Sequence, residues 1–221
     1  MKDLLIFGAS SLARLAHYYA TRDMGLNVLG FVVDEQYKVT ETFLTLPVFT
    51  SSEIDKKFNY DEIVLYVAVG YKSMRQRTNA YQNAKSKGFE LVNIIARNSF
   101  VADDVVMGDN NFIMPGVVVE PGVKIGSNNV VWSNVTICHD TAIGSHNFFA
   151  SNVTIGGEVT IGNQNFLGFS SVVLQQRSIG NEVLIGAQSL LLNDAESLSR
   201  YQGTPAERAG GIDSSLGICV N

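Results

Sequence analysis

Three histidines, His17, His139 and His146, are the side chains of this sequence best suited to proton transfer near neutral pH. A neutral imidazole can take a proton from an attacking nucleophile. His139 is followed directly by Asp140, whose carboxylate could fix the imidazole's tautomer and stabilise the imidazolium once formed. Neighbouring residues of an extended chain point to opposite faces, so this pairing requires a corner or a bulge. A zinc centre of the lyase or hydratase kind would need three histidine ligands. His17 belongs to a different part of the chain, on the surface of a helix, so no metal is expected. Cys138 and Cys219 are the only cysteines, too few for a disulfide framework or a four-cysteine zinc site. A second constellation is Gly8-Ala9-Ser10-Ser11, which follows an apolar strand and opens a helix, as a phosphate-cradling turn does. It lacks the full G-x-G-x-x-G pattern, with Ala13 at the later glycine.

The elements that must hold these residues divide near residue 100. Lys2 to Phe7 reads as a strand, and Leu12, Leu15, Ala16 and Tyr19 follow at helical spacing with Ser10 or Ser11 as N-cap. Strands are expected at Asn27 to Val33, Glu62 to Val69 and Glu90 to Ile95, with a helix from Ser73 to Lys87 stopped by Gly88. This β-α-β order implies a small parallel sheet whose ligands lie at the carboxyl ends of its strands.

Beyond that point the chain counts in sixes. Every sixth residue from Val101 through Met107, Ile113 and Val119 to Leu191 is apolar, without insertion or deletion. That period fits neither a 3.6-residue helix nor an alternating strand. It fits a three-sided parallel β-helix of about five coils, each made of three hexads. A coil of eighteen residues then predicts features repeating at eighteen. Gly108, Gly126, Gly144, Gly162 and Gly180 do so, as do Asn111, Asn129, Asn147 and Asn165. The glycines are expected at tight corners, and the asparagines are expected to stack and share hydrogen bonds.

Composition bounds the partners. The chain has 221 residues, 21 acidic and 16 basic, for a formal net charge of −5, and a pI near 5.2. That balance argues against a binder of nucleic-acid backbones. With 46% hydrophobic and 17% charged residues the composition is globular. No apolar run is long enough to span a membrane, and Gly8 interrupts the N-terminus too early for a signal peptide. A soluble cytoplasmic protein is expected.

The hexads, the Phe7-Gly8-Ala9-Ser10 start, the Val69-Gly70 turn with Arg75 beyond it, the His139-Asp140 pair and the closing Gly203-Thr204-Pro205-Ala206 carry a resemblance. Over residues 2 to about 208 the sequence resembles bacterial sugar acyltransferases of the sialic acid O-acetyltransferase type, nearest to the UDP-4-amino-sugar N-acetyltransferases. The resemblance implies a Rossmann-like nucleotide-sugar-binding domain at 1–97 and a left-handed parallel β-helix at 98–209. A flexible tail is expected at 210–221. It further implies a homotrimer, with acetyl-CoA as co-substrate in a groove between neighbouring prisms.

Roles follow from the same likeness. His139 is the general base and Asp140 its acidic partner. Relatives carry a second histidine nine residues beyond the base, where this chain has Phe148; His146 could supply that contact to acetyl-CoA only if its turn reaches. Otherwise the Gly157 N–H is the oxyanion donor. Gly168, Phe169, Gly186 and Ala187 should line the cofactor groove, and Trp132 adds apolar area there or at the trimer interface. Gly8, Ala9, Ser10 and Ser11 would cradle phosphate, Asp34 would accept from a base or ribose group, and Gly70 and Arg75 would approach the pyrophosphate. The implied activity is transfer of an acetyl group from acetyl-CoA to the amino group of a nucleotide-linked sugar in glycan (O-antigen, capsule or glycoprotein) biosynthesis. An O-acetyltransferase on a sugar hydroxyl, and a catalytically silent nucleotide-sugar-binding protein, are the alternatives.

Overall fold

Each hexad of the second half folds into a two-residue strand and a four-residue corner, so three hexads close one triangular coil. In the computed structural model, which describes residues 2–70 and 72–220, strands eighteen residues apart pair in parallel, as Val119 with Ile137 and Ile137 with Ile155 do. The result is a prism with three sheets. Face I runs through Phe100–Val101, Val118–Val119, Thr136–Ile137, Thr154–Ile155, Val172–Val173 and Leu190–Leu191. Face II runs through Val106–Met107, Lys124–Ile125, Ala142–Ile143, Thr160–Ile161 and Ser178–Ile179. Face III runs from Ile94–Ile95 through Phe112–Ile113, Val130–Val131, Phe148–Phe149, Phe166–Leu167 and Leu184–Ile185 to a closing hairpin of Ser199–Gln202 and Glu207–Gly211. The second residue of each strand points inward, and these residues form one continuous core. Each coil contacts only its neighbours, so stability is nearly one-dimensional.

Two further devices set the coil. The third residue of successive corners takes the left-handed conformation, including Asn128 (φ 58°), Asp140 (φ 57°), His146 (φ 66°) and Glu158 (φ 59°). The asparagine column is a hydrogen-bonded ladder: Asn129 N donates to Asn111 Oδ1 at 2.8 Å, and Asn147 N donates to Asn129 Oδ1 at 2.8 Å. Asn129 Nδ2 meanwhile reaches the Gly144 carbonyl at 3.0 Å. The glycine column owes its identity to a different cause from the one expected. Gly126, Gly144 and Gly162 are not left-handed; a Cβ on Gly144 would sit 2.6 Å from the Gly162 oxygen of the next coil. Close stacking excludes a side chain there.

The first half is an α/β unit. Strands β1 (Asp3–Phe7), β2 (Val28–Val33), β3 (Thr42–Phe43), β4 (Leu46–Thr50) and β5 (Ile63–Val67) form a sheet in the order β3-β4-β2-β1-β5. Helix α1 (Ser11–Arg22) covers one side; α2 (Ser51–Lys57) and α3 (Met74–Ser86) flank the other. The α1 side packs directly on face III. Leu12, Ala16, Phe31 and Tyr66 share one buried cluster with Phe112, Val130, Phe148 and Phe166.

Two expectations about boundaries change. The strand expected at Glu90 to Ile95 splits: Leu91 bridges to Leu65 of the first sheet, whereas Ile94–Ile95 opens face III. The prism thus starts before residue 98. The C-terminal tail is not free: Glu207–Gly211 pairs with Ser199–Gln202, and the following segment returns to α3. There Met74 N donates to the Ile218 carbonyl at 3.1 Å, and Ile218 is buried. Among the described residues no helix is long and apolar enough to cross a membrane.

Candidate active site

The corner between faces I and II holds Cys138, His139, Asp140 and Thr141. Because Asp140 is left-handed, the alternation of the strand is broken and the two neighbouring side chains converge. His139 Nδ1 lies 3.0 Å from Asp140 Oδ2. A carboxylate only accepts, so Nδ1 carries the proton and Nε2 keeps its lone pair. The ring is more than half exposed, and it lies against the backbone of the next coil: a Cβ on Gly157 would come 2.7 Å from both Cε1 and Nε2. Glu120, one coil earlier, accepts from the His139 backbone N–H at 2.7 Å. The imidazole's pKa is raised above its ordinary value, first by the hydrogen bond to Asp140; desolvation opposes this as the next-largest cause, and the charges of Asp140, Glu120 and Glu158 add to the rise. The arrangement is an imidazole oriented by Asp140, able to act as a base through Nε2, beside a peptide group that carries no side chain.

The residues expected to hold acetyl-CoA separate into two groups. Trp132, Gly168, Phe169, Gly186 and Ala187 stack along the corner between faces III and I. Gly168 is buried, and a Cβ there would meet Ala187 N at 2.6 Å, while Phe169 is exposed. Trp132 packs on the inter-domain cluster with its ring centroid 6.1 Å from that of Phe148. His146 and Phe148 lie elsewhere, and the expected contact with acetyl-CoA does not hold for either within this chain. Phe148 is on face III beneath the first domain, stacked on Phe166 at 5.2 Å. His146, at the corner between faces II and III, is buried, with Nδ1 2.9 Å from Asn128 Nδ2 and its ring edge-on to Tyr81. Burial, followed by the nearby Arg77 charge, pushes its pKa down to about 4. With His17 on α1, the three histidines are far apart in the fold and assemble no three-histidine metal site.

A cleft of about 790 Å³ opens at the carboxyl ends of the strands of the first domain. It is lined by Gly8, Ala9, Ser10, Asp34 and Gly70, as the sequence suggests. Gly8 is required there twice over, by its φ of 118° and because a Cβ would approach the Ala68 carbonyl at 2.9 Å. Asp34 accepts from Ser51 Oγ at 3.1 Å. Ser11 begins α1 and is not among the lining residues. Arg75 is corrected outright: its guanidinium faces away to Glu182, with Nε and Nη2 each 2.9 Å from the carboxylate. The cation that does line the cleft is Lys87, joined by Gln76, Asn79 and Asn83 of α3. Sequence reasoning passed over these four; the signal was their shared polar face along α3.

Residues 104–139 and 122–157 match the family model described as bacterial transferase hexapeptide (six repeats). No curated protein matches the sequence. Among solved structures, the chain superposes on a variant of perosamine N-acetyltransferase from Caulobacter crescentus in complex with CoA and GDP-perosamine, at TM-score 0.85 and 23% identity, covering 95% of this chain and 98% of that one. The acetyltransferase domain of PglB from Neisseria gonorrhoeae, in complex with acetyl coenzyme A, gives 0.84 at 21% identity, with 94% and 98% covered. WeeI from Acinetobacter baumannii gives 0.81 at 17% identity, with 94% and 100% covered. From its first strand to its closing hairpin this chain therefore has the fold of those proteins, an α/β unit followed by a left-handed β-helix, and residues 104–157 carry bacterial transferase hexapeptide repeats.

Proposed function

We propose that the protein transfers the acetyl group of acetyl-CoA to the amino group of a nucleotide-linked sugar, as a soluble homotrimer of the cytoplasm serving bacterial glycan biosynthesis. The observation that carries this reading is the His139–Asp140 pair, oriented at 3.0 Å with Nε2 beside Gly157. The sugar amine attacks the thioester carbonyl carbon, and His139 Nε2 takes the amine's proton as the C–N bond forms. Asp140 stabilises the resulting imidazolium. The Gly157 N–H, which donates to no other group among the described residues, would receive the oxyanion. Collapse breaks the C–S bond, and the imidazolium returns its proton to the leaving thiolate, giving CoA and an N-acetylated sugar. Glu120, Asp140 and Glu158 make the surroundings of the base negative, which favours binding of an acceptor that is an ammonium in solution over a neutral hydroxyl; the ammonium releases one proton to solvent before the neutral amine attacks.

Two features support the partners. In one chain the base lies on one edge of face I, whereas Gly168, Phe169, Gly186 and Ala187 lie on its other edge. A second copy can bring the two edges together, and face I offers it an outward row that includes Phe100, Val118, Val172 and Leu190. The cleft at Gly8–Ser10, Asp34 and Gly70 would hold the nucleotide. The test is a panel of UDP-, dTDP- and GDP-linked amino sugars with acetyl-CoA, read by thiol release. Release with one of them, lost by at least about 10²-fold in His139→Ala while CoA binding persists, supports the assignment. Silence across the panel, or full activity in His139→Ala, refutes it.

A further inference from the structure

The left-handed residues at the corner between faces II and III form a column, one per coil: Asn110, Asn128, His146, Gln164 and Glu182. Each meets the first domain. Asn110 exchanges hydrogen bonds with the Val67 backbone, accepting from its N–H at 2.7 Å and donating to its carbonyl at 3.2 Å. Asn128 Oδ1 accepts from Arg77 Nη2 at 3.1 Å, and the His146 ring meets Tyr81 edge-on. Gln164 Nε2 donates to Thr78 Oγ1 at 2.8 Å. Glu182 takes both ends of the Arg75 fork. Helix α3 is thereby laid along the prism axis and fastened at successive heights.

The same helix turns its other side to the cleft, where Gln76, Asn79 and Asn83 form a wall. Its first turn is gripped a second time by the C-terminal segment. Arg75 Nη1 donates to the Ser214 carbonyl at 2.9 Å, Met74 N to Ile218, and Val220 N to the Lys72 carbonyl. Gln76 itself lines the cleft, so whatever fixes residues 72–76 fixes that part of the cleft wall.

We infer that Arg75 is a positioning residue: its bidentate bond to Glu182, with the carbonyl of Ser214, holds the cleft wall at a fixed height on the prism. This rests on the reading that the cleft binds the nucleotide sugar. A nucleotide held there presents its sugar at a distance set by the register of α3 against the coils, and the reacting amine must meet a thioester fixed by those same coils. A charge-assisted fork is the strong kind of tie for such a register. Arg77 is buried with several carbonyl partners and belongs to the folding core. Arg75 is partly exposed, so its loss is compatible with a folded protein.

The experiment compares wild type, Arg75→Gln, and the exchanged pair Arg75→Glu with Glu182→Arg. Arg75→Gln is expected to raise the KM for the nucleotide sugar about tenfold, from a lost charged hydrogen bond. Its kcat should also fall several-fold, because the amine is then less well placed against the thioester, while its KM for acetyl-CoA should stay within about twofold. Amide hydrogen exchange should quicken along residues 74–86, and the exchanged pair should recover part of the affinity, since it can re-form the fork across positions 75 and 182 but leaves the Ser214 carbonyl without its donor. An unchanged nucleotide-sugar KM in Arg75→Gln, equal losses in all three constants, or no recovery in the exchanged pair overturns the inference. Equilibrium binding of UDP, dTDP and GDP to wild type separates the two claims. No binding of any of them overturns the cleft assignment, and this inference with it, before a variant is made.

Discussion

Protonating His146 will loosen the junction between the two halves of the chain. Asn128 fixes the direction of the effect. Its Oδ1 already accepts from Asn110 Nδ2 at 2.8 Å and from Arg77, so its Nδ2 must be the atom facing His146 Nδ1 at 2.9 Å. Nδ1 is therefore an acceptor, and a proton there would set donor against donor beside the buried Arg77 cation. The other groups facing this ring are Tyr81 and, through it, Asp109 and Lys85. Burial pushes the Asp109 carboxyl up, but its bonds from Lys85, Tyr81 and Ser127 outweigh that and leave it below its ordinary value.

The magnitude follows by linkage. A histidine that titrates at 6.5 when unfolded and at about 4 when folded stabilises the neutral form by about 3 kcal/mol, at ~1.36 kcal/mol per pH unit. Above pH 6.5 that contribution is complete. It is lost as pH falls from 6.5 to 4, because the unfolded chain binds the proton first. His146→Asn is the matched control, since asparagine suits the left-handed position, as Asn110 and Asn128 of the same column demonstrate. Urea unfolding can be followed by the fluorescence of Trp132, the only tryptophan, which packs on the junction itself. The stability difference between wild type and variant should shrink by about 3 kcal/mol between pH 7.5 and pH 4. A difference constant within about 0.5 kcal/mol across that range would refute the reasoning.

Three further outcomes follow. Gly157→Ala should lower kcat by about 10²-fold without a loss of thermal stability, since its Cβ must displace the His139 ring by a fraction of an ångström to an ångström; an undiminished kcat would mean the ring does not act where it lies. Asp140→Asn, which keeps the left-handed turn, should shift the acidic limb of the kcat/KM profile to lower pH because it removes the leading cause of His139's raised pKa. A limb that stays in place would point to another titrating group. Asn129→Ala strips the acceptor from Asn147 N and the donor from Gly144 O, and should cost about 2 kcal/mol for one buried and one part-buried group left unpaired, read as a fall in the urea midpoint.

What the sequence discloses, and what it withholds, divides along the prism. The inward residue of every hexad faces the same core, so Val119, Ile137, Ile155 and Val173 announce the coil by apolarity alone. The asparagine ladder is equally plain, because its hydrogen bonds require the same side chain on each level. The convergence of His139 and Asp140 is not legible locally. The left-handed position holds Asn, Gln, Glu, Asp, His, Ser and Gly, so no single residue type marks it. Phe148 was misplaced for a different reason. Phe112, Val130, Phe148, Phe166 and Leu184 make the outward row of face III apolar throughout, whereas face II presents Lys124, Thr160 and Ser178. That contrast identifies the covered face, and a residue on it cannot also line an open groove. The tail carried its own signal in Ile212, Ile218 and Val220, which pack against the first domain's core.

The position of the base along the prism also has a physical cause. The column that contains His139 reads Asp103, Pro121, His139, Gly157, Gln175 and Asn193. An imidazole projecting from one level leans over the next, and only Gly157 leaves that space empty; at every other level a side chain occupies it. A histidine at position 121 would lean over residue 139 and one at 157 over Gln175, so neither would find the open peptide group that the ring of His139 has beside it. The inward residue must be apolar on every coil, and the asparagine ladder runs unbroken from Asn111 to Asn165. The corners carry no such burden, and each column is free to specialise: one fastens α3, one offers small residues beside Phe169, and one holds the base. The proposed chemistry therefore falls on the single coil where a histidine with a left-handed acidic neighbour is followed, eighteen residues on, by glycine.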